Sequence, residues 1–230
     1  MKLLFALLLL FRVLIISAQD HITSPDNSIQ VSVTSGESLL ISAQYKGTTI
    51  LKPSEIGLHI RNVKPNWNIR KTSIRKIDEN IFPPVAEKRK IIRDHYHELN
   101  IEFKSKISLQ IRVYNDGFAY RFSSAIKDSI IVNKETALYS FPDETTFYGA
   151  AVKKRDDADI YHTSFEEPYL IKPLASVSSD LLFFSPVMIA HSNNIKTVIT
   201  ESDLEDYPGM FLKFNESKHL EGVNAPYPIA

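Results

Sequence analysis

The chain has 230 residues, of which 43% are hydrophobic and 23% charged, and its basic and acidic side chains are equal in number. This composition is typical of one large or two small globular domains, and it excludes the strongly basic surface of a nucleic-acid-binding protein. Cysteine is absent, which excludes disulfide bonds, thiolate metal sites and cysteine nucleophiles. The fold must therefore be stabilised by its core.

The first 18 residues predict a secretory signal peptide. Lys2 precedes the apolar run LLFALLLL, and the small residue Ala18 ends the segment. Arg12 interrupts the apolar stretch, which disfavours the alternative of a membrane anchor. Removing the signal leaves two more acidic than basic residues. We expect an exported bacterial protein, periplasmic or extracellular, with no membrane span after signal removal and with residues 19–230 as its folded domain.

Short segments that alternate apolar and polar residues recur along the rest of the chain and predict β-strands. They lie at 28–34, 38–45, 48–51, 56–60, 68–77, 93–104, 107–114, 129–132, 137–141, 181–191 and 195–200. Residues 142–180 have the composition of a loop. Helical periodicity is absent, so the pattern predicts an all-β fold, a large antiparallel β-sandwich with few or no helices.

The stretch RVYNDGFAYRF, residues 112–122, predicts a β-hairpin. Asp116-Gly117 suits a two-residue type I′ turn, in which both central residues have positive φ. That turn would place Leu109, Ile111 and Val113 on one face with Phe118, Tyr120 and Phe122. It would also place Arg112 opposite Arg121, an unfavourable pair that would need a nearby acid.

Several other residues have side chains that could take part in binding or catalysis. His95 and His97 form a pair with metal-chelating spacing, but they share a face with Leu99, Ile101 and Phe103, which favours a structural role. Trp67, the only tryptophan, could stack on a sugar or pack locally, and local packing is the commoner role. The acidic pairs Asp156-Asp157 and Glu166-Glu167 are typical of solvated loops.

Five motifs, in order along the chain, resemble the N-terminal domain of glycoside hydrolase family 97, the exported bacterial α-glucosidases and α-galactosidases. They are SPDNSIQVSV, GESLLISAQYKGTTILKPSEIGL, RDHYHELNIEF, RVYNDGFAYRF and TESDLEDYPGMFL. The resemblance covers about residues 24–230. It implies a galactose-mutarotase-like super-sandwich that packs on a catalytic (β/α)₈ barrel. The barrel would lie outside this chain, and the sandwich would lack its last strands.

The resemblance also implies where the chemistry lies. The catalytic carboxylates belong to the barrel, so no catalytic residue is expected here. Glu201 matches an acid that the family offers as a calcium ligand, the other ligands being barrel glutamates. Calcium takes six to eight oxygen ligands, so this chain alone should bind Ca²⁺ weakly. Asp203, which would share a face with Glu201 in an extended chain, and Tyr207 are secondary candidates for a substrate or interface role, as is Trp67.

The resemblance thus implies the non-catalytic N-terminal domain of an exported α-glycosidase that acts in polysaccharide utilisation. Its partners would be the barrel of the same enzyme and an oligosaccharide substrate. Two alternatives from other classes remain open, a free-standing carbohydrate-binding module and a mutarotase-like epimerase. The epimerase would need a histidine and a carboxylate that converge in the concave face.

Overall fold

A computed structural model describes residues 18–205 and 207–226 and confirms the all-β sandwich. Every strand pairing between these residues is antiparallel, and a short 3-10 helix at Leu174–Ser176 accompanies the strands. None of the helical structure in the described part of the chain is long and apolar enough to cross a membrane. The predicted signal peptide lies outside the described residues, except for Ala18, which begins the first strand.

The larger sheet has 11 strands in the order β1-β2-β3-β4-β9-β15-β14-β12-β10-β11, and β13 pairs with β12 beside this path. Its strands are β1 (Ala18–Thr23), β2 (Ile29–Ser35), β3 (Leu39–Tyr45), β4 (Thr48–Ile60), β9 (Val132–Tyr139), β10 (Thr145–Ala151), β11 (Tyr169–Pro173), β12 (Leu182–His191), β13 (Lys196–Ile199), β14 (Met210–Phe214) and β15 (Leu220–Asn224).

The smaller sheet has four strands in the order β5-β6-β7-β8. They are β5 (Ile69–Ile81), β6 (Ile92–Phe103), β7 (Ile107–Val113) and β8 (Phe118–Ser124). This sheet lies over the β1–β2 end of the larger one, where β1 contacts β6 and β2 contacts β7. One hydrogen bond that joins the sheets runs from Nδ1 of His97 to the carbonyl oxygen of Thr23, at 2.8 Å, so His97 has the predicted structural role.

The core is a cluster of buried apolar side chains from strands of both sheets, and it follows the alternation of the sequence. Alternate residues of β2, β3 and β7 are buried, which is the pattern of strands with one face packed and one face solvated. Phe103, Phe147 and Phe214 are among the largest fully buried side chains. Burial of these apolar surfaces is the main stabilising contribution in a chain without disulfides.

Several predicted elements differ from the observed ones. The segments 48–51 and 56–60 are parts of one strand, β4, and the predicted strand at 129–132 is wrong except at Val132. The predicted loop 142–180 contains β10, β11 and the 3-10 helix. β10 has the sequence TTFYGAA, in which polar and small residues interrupt the apolar alternation, so the strand was missed.

The predicted register of the β7–β8 hairpin is wrong by two residues. Val113 faces Phe118, and Arg112 faces Ala119 rather than Arg121. Neither Asp116 nor Gly117 has a positive φ, so the turn is not type I′. It is a four-residue turn in which the Tyr114 amide donates to the Gly117 carbonyl at 2.8 Å. A shift by two residues preserves the faces, so the predicted shared apolar face is confirmed.

The acid expected near Arg112 comes from the neighbouring strand. Arg112 donates to Glu98 on β6, and Arg121 donates to Gln110 at 2.6 Å. Glu98 also accepts hydrogen bonds from Arg75 on β5. The two arginines predicted to oppose each other therefore have separate partners on the same sheet: Arg112 pairs with the Glu98 carboxylate, and Arg121 donates to the uncharged side-chain amide of Gln110.

Candidate functional site

A cleft of about 1150 Å³ opens between the two sheets where the smaller sheet ends at β8. One wall is β8, the floor is the inner face of β3, β4 and β9, and the far wall is β13 with the loop 200–209 that follows it. Apolar side chains such as Ile41, Leu58 and Ile199 line most of its surface. The loop 200–209 brings Glu201, Asp203 and Tyr207 to the cleft beside Glu135 of β9, which makes that end the candidate site.

Glu201 lies in this loop, directly after β13, and its side chain is half-buried at the cleft. Its Oε1 atom accepts a hydrogen bond from the Met210 backbone amide at 2.7 Å, which ties the two ends of the loop together. Within the described part of the chain, Oε2 has no hydrogen-bond partner. One carboxylate oxygen is thus fixed, while the other is available to a ligand.

Tyr207 anchors the same loop to the larger sheet. Its hydroxyl donates to Oε2 of Glu135 on β9 at 2.9 Å. The Asn224 side-chain amide on β15 donates to the Pro208 carbonyl at 3.1 Å, which adds a second attachment. Together with the Glu201–Met210 bond, these contacts hold the loop against three strands. The loop that presents Glu201 is therefore positioned by the side chains of Glu135 on β9 and Asn224 on β15 and by the backbone amide of Met210 on β14.

The electrostatics of this end of the cleft arise from burial. Burial raises the pKa of Glu135, the hydrogen bond from Tyr207 opposes that shift, and the negative charge of Glu201 adds to it. Burial and the adjacent Glu135 carboxylate raise the pKa of Tyr207. Two acids and a phenol hydroxyl thus share a partly desolvated site, and the charge of Glu201 contributes to the raised pKa of Glu135.

Two further tyrosines line the cleft. The hydroxyls of Tyr120 on β8 and Tyr139 on β9 lie 3.1 Å apart and bridge the two sheets. Burial raises the pKa of Tyr139 to about 12 and the pKa of Tyr120 well above its usual value. Both hydroxyls remain neutral at physiological pH, so they can donate or accept hydrogen bonds to a bound polar group.

Asp203 also lines the cleft, but its geometry differs from the prediction. The segment after Glu201 is not an extended strand, and Asp203 has a φ of 58°. The reasoning that placed the two side chains on one face of an extended chain is therefore wrong. Asp203 is exposed at the cleft.

Trp67 does not line the cleft and is 7% exposed. Its ring packs edge-to-face on Phe103, with 5.3 Å between ring centroids, and against Phe122 at 6.1 Å. A Cβ atom on Gly57 would come within 3.3 Å of the indole, so the glycine leaves room for this packing. The structure places Trp67 in the core. Of the two roles open from the sequence, sugar stacking and local packing, its position is that of local packing.

The remaining candidate acids and histidines do not join the site. Arg155 pairs with Asp157 in an exposed loop, with Nη2 and Oδ2 2.8 Å apart, and Glu166 and Glu167 lie in the same loop region. Among the described residues, no group of three histidine, aspartate or glutamate side chains could hold a metal ion. None of the described residues that line the cleft is a histidine, so the arrangement an epimerase needs is missing there.

Three residues of the site were not predicted from the sequence as site residues: Glu135, Tyr120 and Tyr139. A signal for Glu135 existed, because Glu135, Ala137 and Tyr139 occupy alternate positions of one strand and therefore share a face. An acid on the same face as two inward residues is unusual and marks a functional candidate. The tyrosines form their bridge only through the tertiary fold, which alternation within one strand does not reveal.

Comparison with known proteins supplies the family. The model of the family described as "Glycosyl-hydrolase 97 N-terminal" matches residues 22–229. A retaining alpha-galactosidase from Bacteroides thetaiotaomicron is 34% identical over 236 residues, and the match covers 99% of this chain and 36% of that protein. This chain thus spans about a third of the length of that relative.

Solved structures support the fold. A glycoside hydrolase family 97 enzyme from Pseudoalteromonas sp. strain K8, determined with acarbose, matches with a TM-score of 0.73 and 18% identity, covering 90% of this chain and 32% of that one. A beta-arabinopyranosidase matches with a TM-score of 0.74 and 21% identity, covering 90% of this chain and 35% of that one. At these identities the likeness concerns the fold alone.

Proposed function

Because this chain belongs to the glycosyl-hydrolase 97 N-terminal family, we propose that it serves as the non-catalytic N-terminal domain of an exported α-glycosidase. The observation that carries the proposal is the family match over residues 22–229 in a chain that spans only 36% of a homologous alpha-galactosidase. The catalytic carboxylates of the parent enzyme would lie in a (β/α)₈ barrel. This domain would pack on that barrel, stabilise it and form one wall of the carbohydrate-binding site.

The contribution of this domain to the shared site is Glu201. Its Oε1 is fixed by the Met210 amide at 2.7 Å, which leaves Oε2 to coordinate Ca²⁺. The described residues bring no third carboxylate or imidazole to it, so the other oxygen ligands would come from the barrel. Bound there, calcium would supply charge stabilisation beside the substrate. Glu201 would orient one ligand oxygen toward the ion, held in place by its loop.

The substrate class follows from the relatives. An oligosaccharide with an α-linked galactosyl unit would match the activity for which the homologous retaining alpha-galactosidase is named, and an α-linked glucosyl unit is the alternative that the motif resemblance implies. Export to the periplasm or cell surface fits the apolar segment after Lys2. A domain of this kind would serve polysaccharide utilisation by the cell that secretes it.

The first test is an assay of this chain and of the parent enzyme on aryl α-glucosides and aryl α-galactosides. The parent should release the aryl group, and the isolated chain should release none. Hydrolysis by the isolated chain would overturn the proposal. Retention of the isolated chain on an oligosaccharide column, together with an inactive parent, would support a free-standing carbohydrate-binding module instead.

The second test replaces the proposed ligand in the parent enzyme. Glu201→Gln should raise the Ca²⁺ concentration needed for half-maximal activity and increase sensitivity to EDTA. Glu205→Gln is the matched control, because Glu205 is an exposed acid of the same loop. Equal calcium dependence in the Glu201→Gln variant and the wild type would contradict the assigned role.

A further inference from the structure

A two-stranded ribbon extends from the smaller sheet. β6 pairs with β7 only through its residues 97–102, whereas its pairing with β5 continues to Ile81 and Ile92. The part of the ribbon beyond the end of β7 has five residues per strand and is about 16 Å long. The Arg93 side chain donates to both carboxylate oxygens of Asp78, at 2.7 and 2.8 Å, which ties the two strands together. The ribbon thus carries the loop at its end past the neighbouring strand.

That loop, residues 82–91, is called the tip loop here. With ten residues it is longer than an ordinary hairpin loop, and long loops in compact domains are usually functional. Phe82 and Val85 are each 67% exposed, the highest value of any large apolar side chain in the described part of the chain. Pro83 and Pro84 lie between them and restrict the backbone. The tip loop therefore holds apolar side chains in water, which is typical of an interaction surface.

The tip loop is also basic. Lys88, Arg89 and Lys90 are consecutive and exposed, and Glu87 is the only acid among the ten residues, so the loop has a net charge of +2. None of the salt bridges between described residues involves these three basic side chains. Three cations without an acidic partner thus accompany the exposed apolar side chains on one loop.

A second basic run lacks these properties. Lys153, Lys154 and Arg155 are also consecutive and exposed, but Asp156 and Asp157 follow them directly. Arg155 pairs with Asp157, with Nη2 and Oδ2 2.8 Å apart. None of the large apolar side chains that the described structure exposes lies within four residues of this run. The combination of free positive charge and exposed apolar surface is therefore a property of the tip loop and not of every basic run.

The tip loop is separate from the cleft that contains Glu201. It connects β5 and β6, and β5 is the edge of the smaller sheet opposite β8, which forms a wall of the cleft. The two edge strands are three strand spacings apart, or about 14 Å. None of the tip-loop residues lines the cleft. A surface that binds at the tip loop would therefore leave the cleft and the loop of Glu201 accessible.

We propose that the tip loop binds the anionic surface of a lipid bilayer. Phe82 and Val85 enter the boundary between headgroups and acyl chains, while Lys88, Arg89 and Lys90 contact lipid phosphates. A bilayer with anionic lipids offers an apolar layer and negative charge in one surface. A protein partner would have to supply an apolar pocket and separate acids for the three cations.

The attachment is peripheral and reversible. It depends on a few partly inserted side chains and three cations, which is far less than the apolar surface of a membrane-spanning segment. The proposal goes beyond the glycosidase role and does not depend on it. Its consequence for an exported enzyme is that the molecule would concentrate at a lipid surface with its cleft free.

Vesicle sedimentation tests the proposal. The parent enzyme is used without residues 1–18, because their apolar run could itself bind lipid. It should sediment with vesicles of phosphatidylcholine that contain about 30% phosphatidylglycerol and stay in solution with phosphatidylcholine alone. Raising NaCl from about 0.05 M to about 0.5 M should release most of the bound enzyme, because salt screens the attraction to the headgroups.

Two sets of variants assign the contact. Replacing Lys88, Arg89 and Lys90 together by serine should weaken binding to the anionic vesicles by about 100-fold. Phe82→Ser should weaken it by about tenfold, because the ring no longer enters the bilayer. Replacing the run 153–155 by serine removes the same number of basic residues and is the matched control, with an expected change below about twofold. All variants should hydrolyse an aryl α-galactoside at the wild-type rate without vesicles, which shows that they are folded.

Hydrogen exchange locates the contact in the parent enzyme. Amides of the tip loop should exchange more slowly in the presence of the anionic vesicles, whereas amides of residues 153–157 should not change. Protection at both segments, or equal losses of binding in the two triple variants, would show general charge attraction and overturn the assignment to the tip loop.

Three further results are decisive. Failure of the enzyme to bind the anionic vesicles would overturn the proposal. So would an enzyme that is dimeric without lipid and becomes monomeric on Phe82→Ser, since a second copy would then cover the tip loop. An enzyme that binds vesicles through the tip loop but hydrolyses no glycoside would support the membrane contact and overturn only the proposed function.

Discussion

Arg112 donates a hydrogen bond from Nε to Oε2 of Glu98, directly across strands β7 and β6, with the two atoms 2.9 Å apart. Arg75 on β5 donates to Oε1 of the same carboxylate at 3.0 Å, so the side chain of Glu98 is 3% exposed between two guanidinium groups. Arg112 also lies over the ring of Tyr96, 4.6 Å from its centroid. This arrangement ties three strands of the smaller sheet together on the face opposite the core.

Glu98→Gln should destabilise the domain by about 1.5–3 kcal/mol, because hydrogen bonds to a charged group are lost at a buried position. The matched control is Glu102→Gln on the same strand, where the carboxylate pairs with a largely exposed Arg70. That exposed pair should contribute less than about 1 kcal/mol. Urea denaturation of both variants at pH 7 measures the difference. Equal losses in the two variants would contradict a special role for Glu98.

The β1–β2 turn should respond to acid through Asp26. Hydrogen bonds from the Ser24 side chain and from the backbone and side chain of Ser28 lower the pKa of Asp26 from 3.8 to about 2. A depressed pKa in the folded state stabilises the protein above the unfolded pKa, and the contribution is lost as the pH falls from about 4 to about 2.

Asp26→Asn should remove that contribution, because the amide does not titrate. The urea midpoint of the wild type should therefore exceed that of the variant at pH 5, and the two midpoints should converge near pH 2. Urea titrations at half-unit pH steps measure the difference between the two midpoints. A gap that stays constant over this range would show that the Asp26 charge does not contribute to folding.

Trp67 should report on the core rather than on sugar binding. Trp67→Ala should cost about 3–5 kcal/mol of stability, the range for removal of a large buried aromatic ring. Trp67→Phe should cost less, because a ring would still pack on Phe103. Since Trp67 is the only tryptophan, its fluorescence also serves as a probe. Its emission should be blue-shifted in the folded protein and unchanged by oligosaccharides, and a sugar-dependent shift would indicate that the ring contacts ligand.

Alternation within a strand was sufficient to predict the β-sandwich, since Val31, Val33 and Ile41 are buried on the face that the pattern assigns to the core. The β7–β8 register could not be predicted, because it depends on distant contacts. Asn115 accepts a hydrogen bond from the Asp26 amide, 89 residues away in the sequence, and this holds the turn in its four-residue form. Residues whose neighbours are local in sequence were thus predicted more accurately than residues positioned by the other sheet.

The same distinction applies to the candidate site. Glu201 was identified through a motif, whereas the residues that position it, Glu135 and Asn224, lie on strands far from it in the sequence. Alternation places Glu135 on the inward face of β9, but only the fold shows that Tyr207 reaches it. Glu201 is a proposed ligand named from sequence resemblance, and the structure adds what holds its loop in place.

The Tyr207–Glu135 hydrogen bond should therefore affect the Ca²⁺ concentration that the parent enzyme needs for half-maximal activity. Tyr207→Phe removes a bond that contributes about 1 kcal/mol, which corresponds to about a fivefold change in an equilibrium constant. The Ca²⁺ concentration for half-maximal activity should rise by about that factor, while kcat at saturating Ca²⁺ stays near the wild-type value, because no ligand is lost. Tyr114→Phe is the matched control, since Tyr114 also donates to a carboxylate, Asp94, but on the smaller sheet. An equal rise in both variants, or a loss of kcat that Ca²⁺ does not restore, would show that Tyr207 acts on overall folding rather than on the position of Glu201.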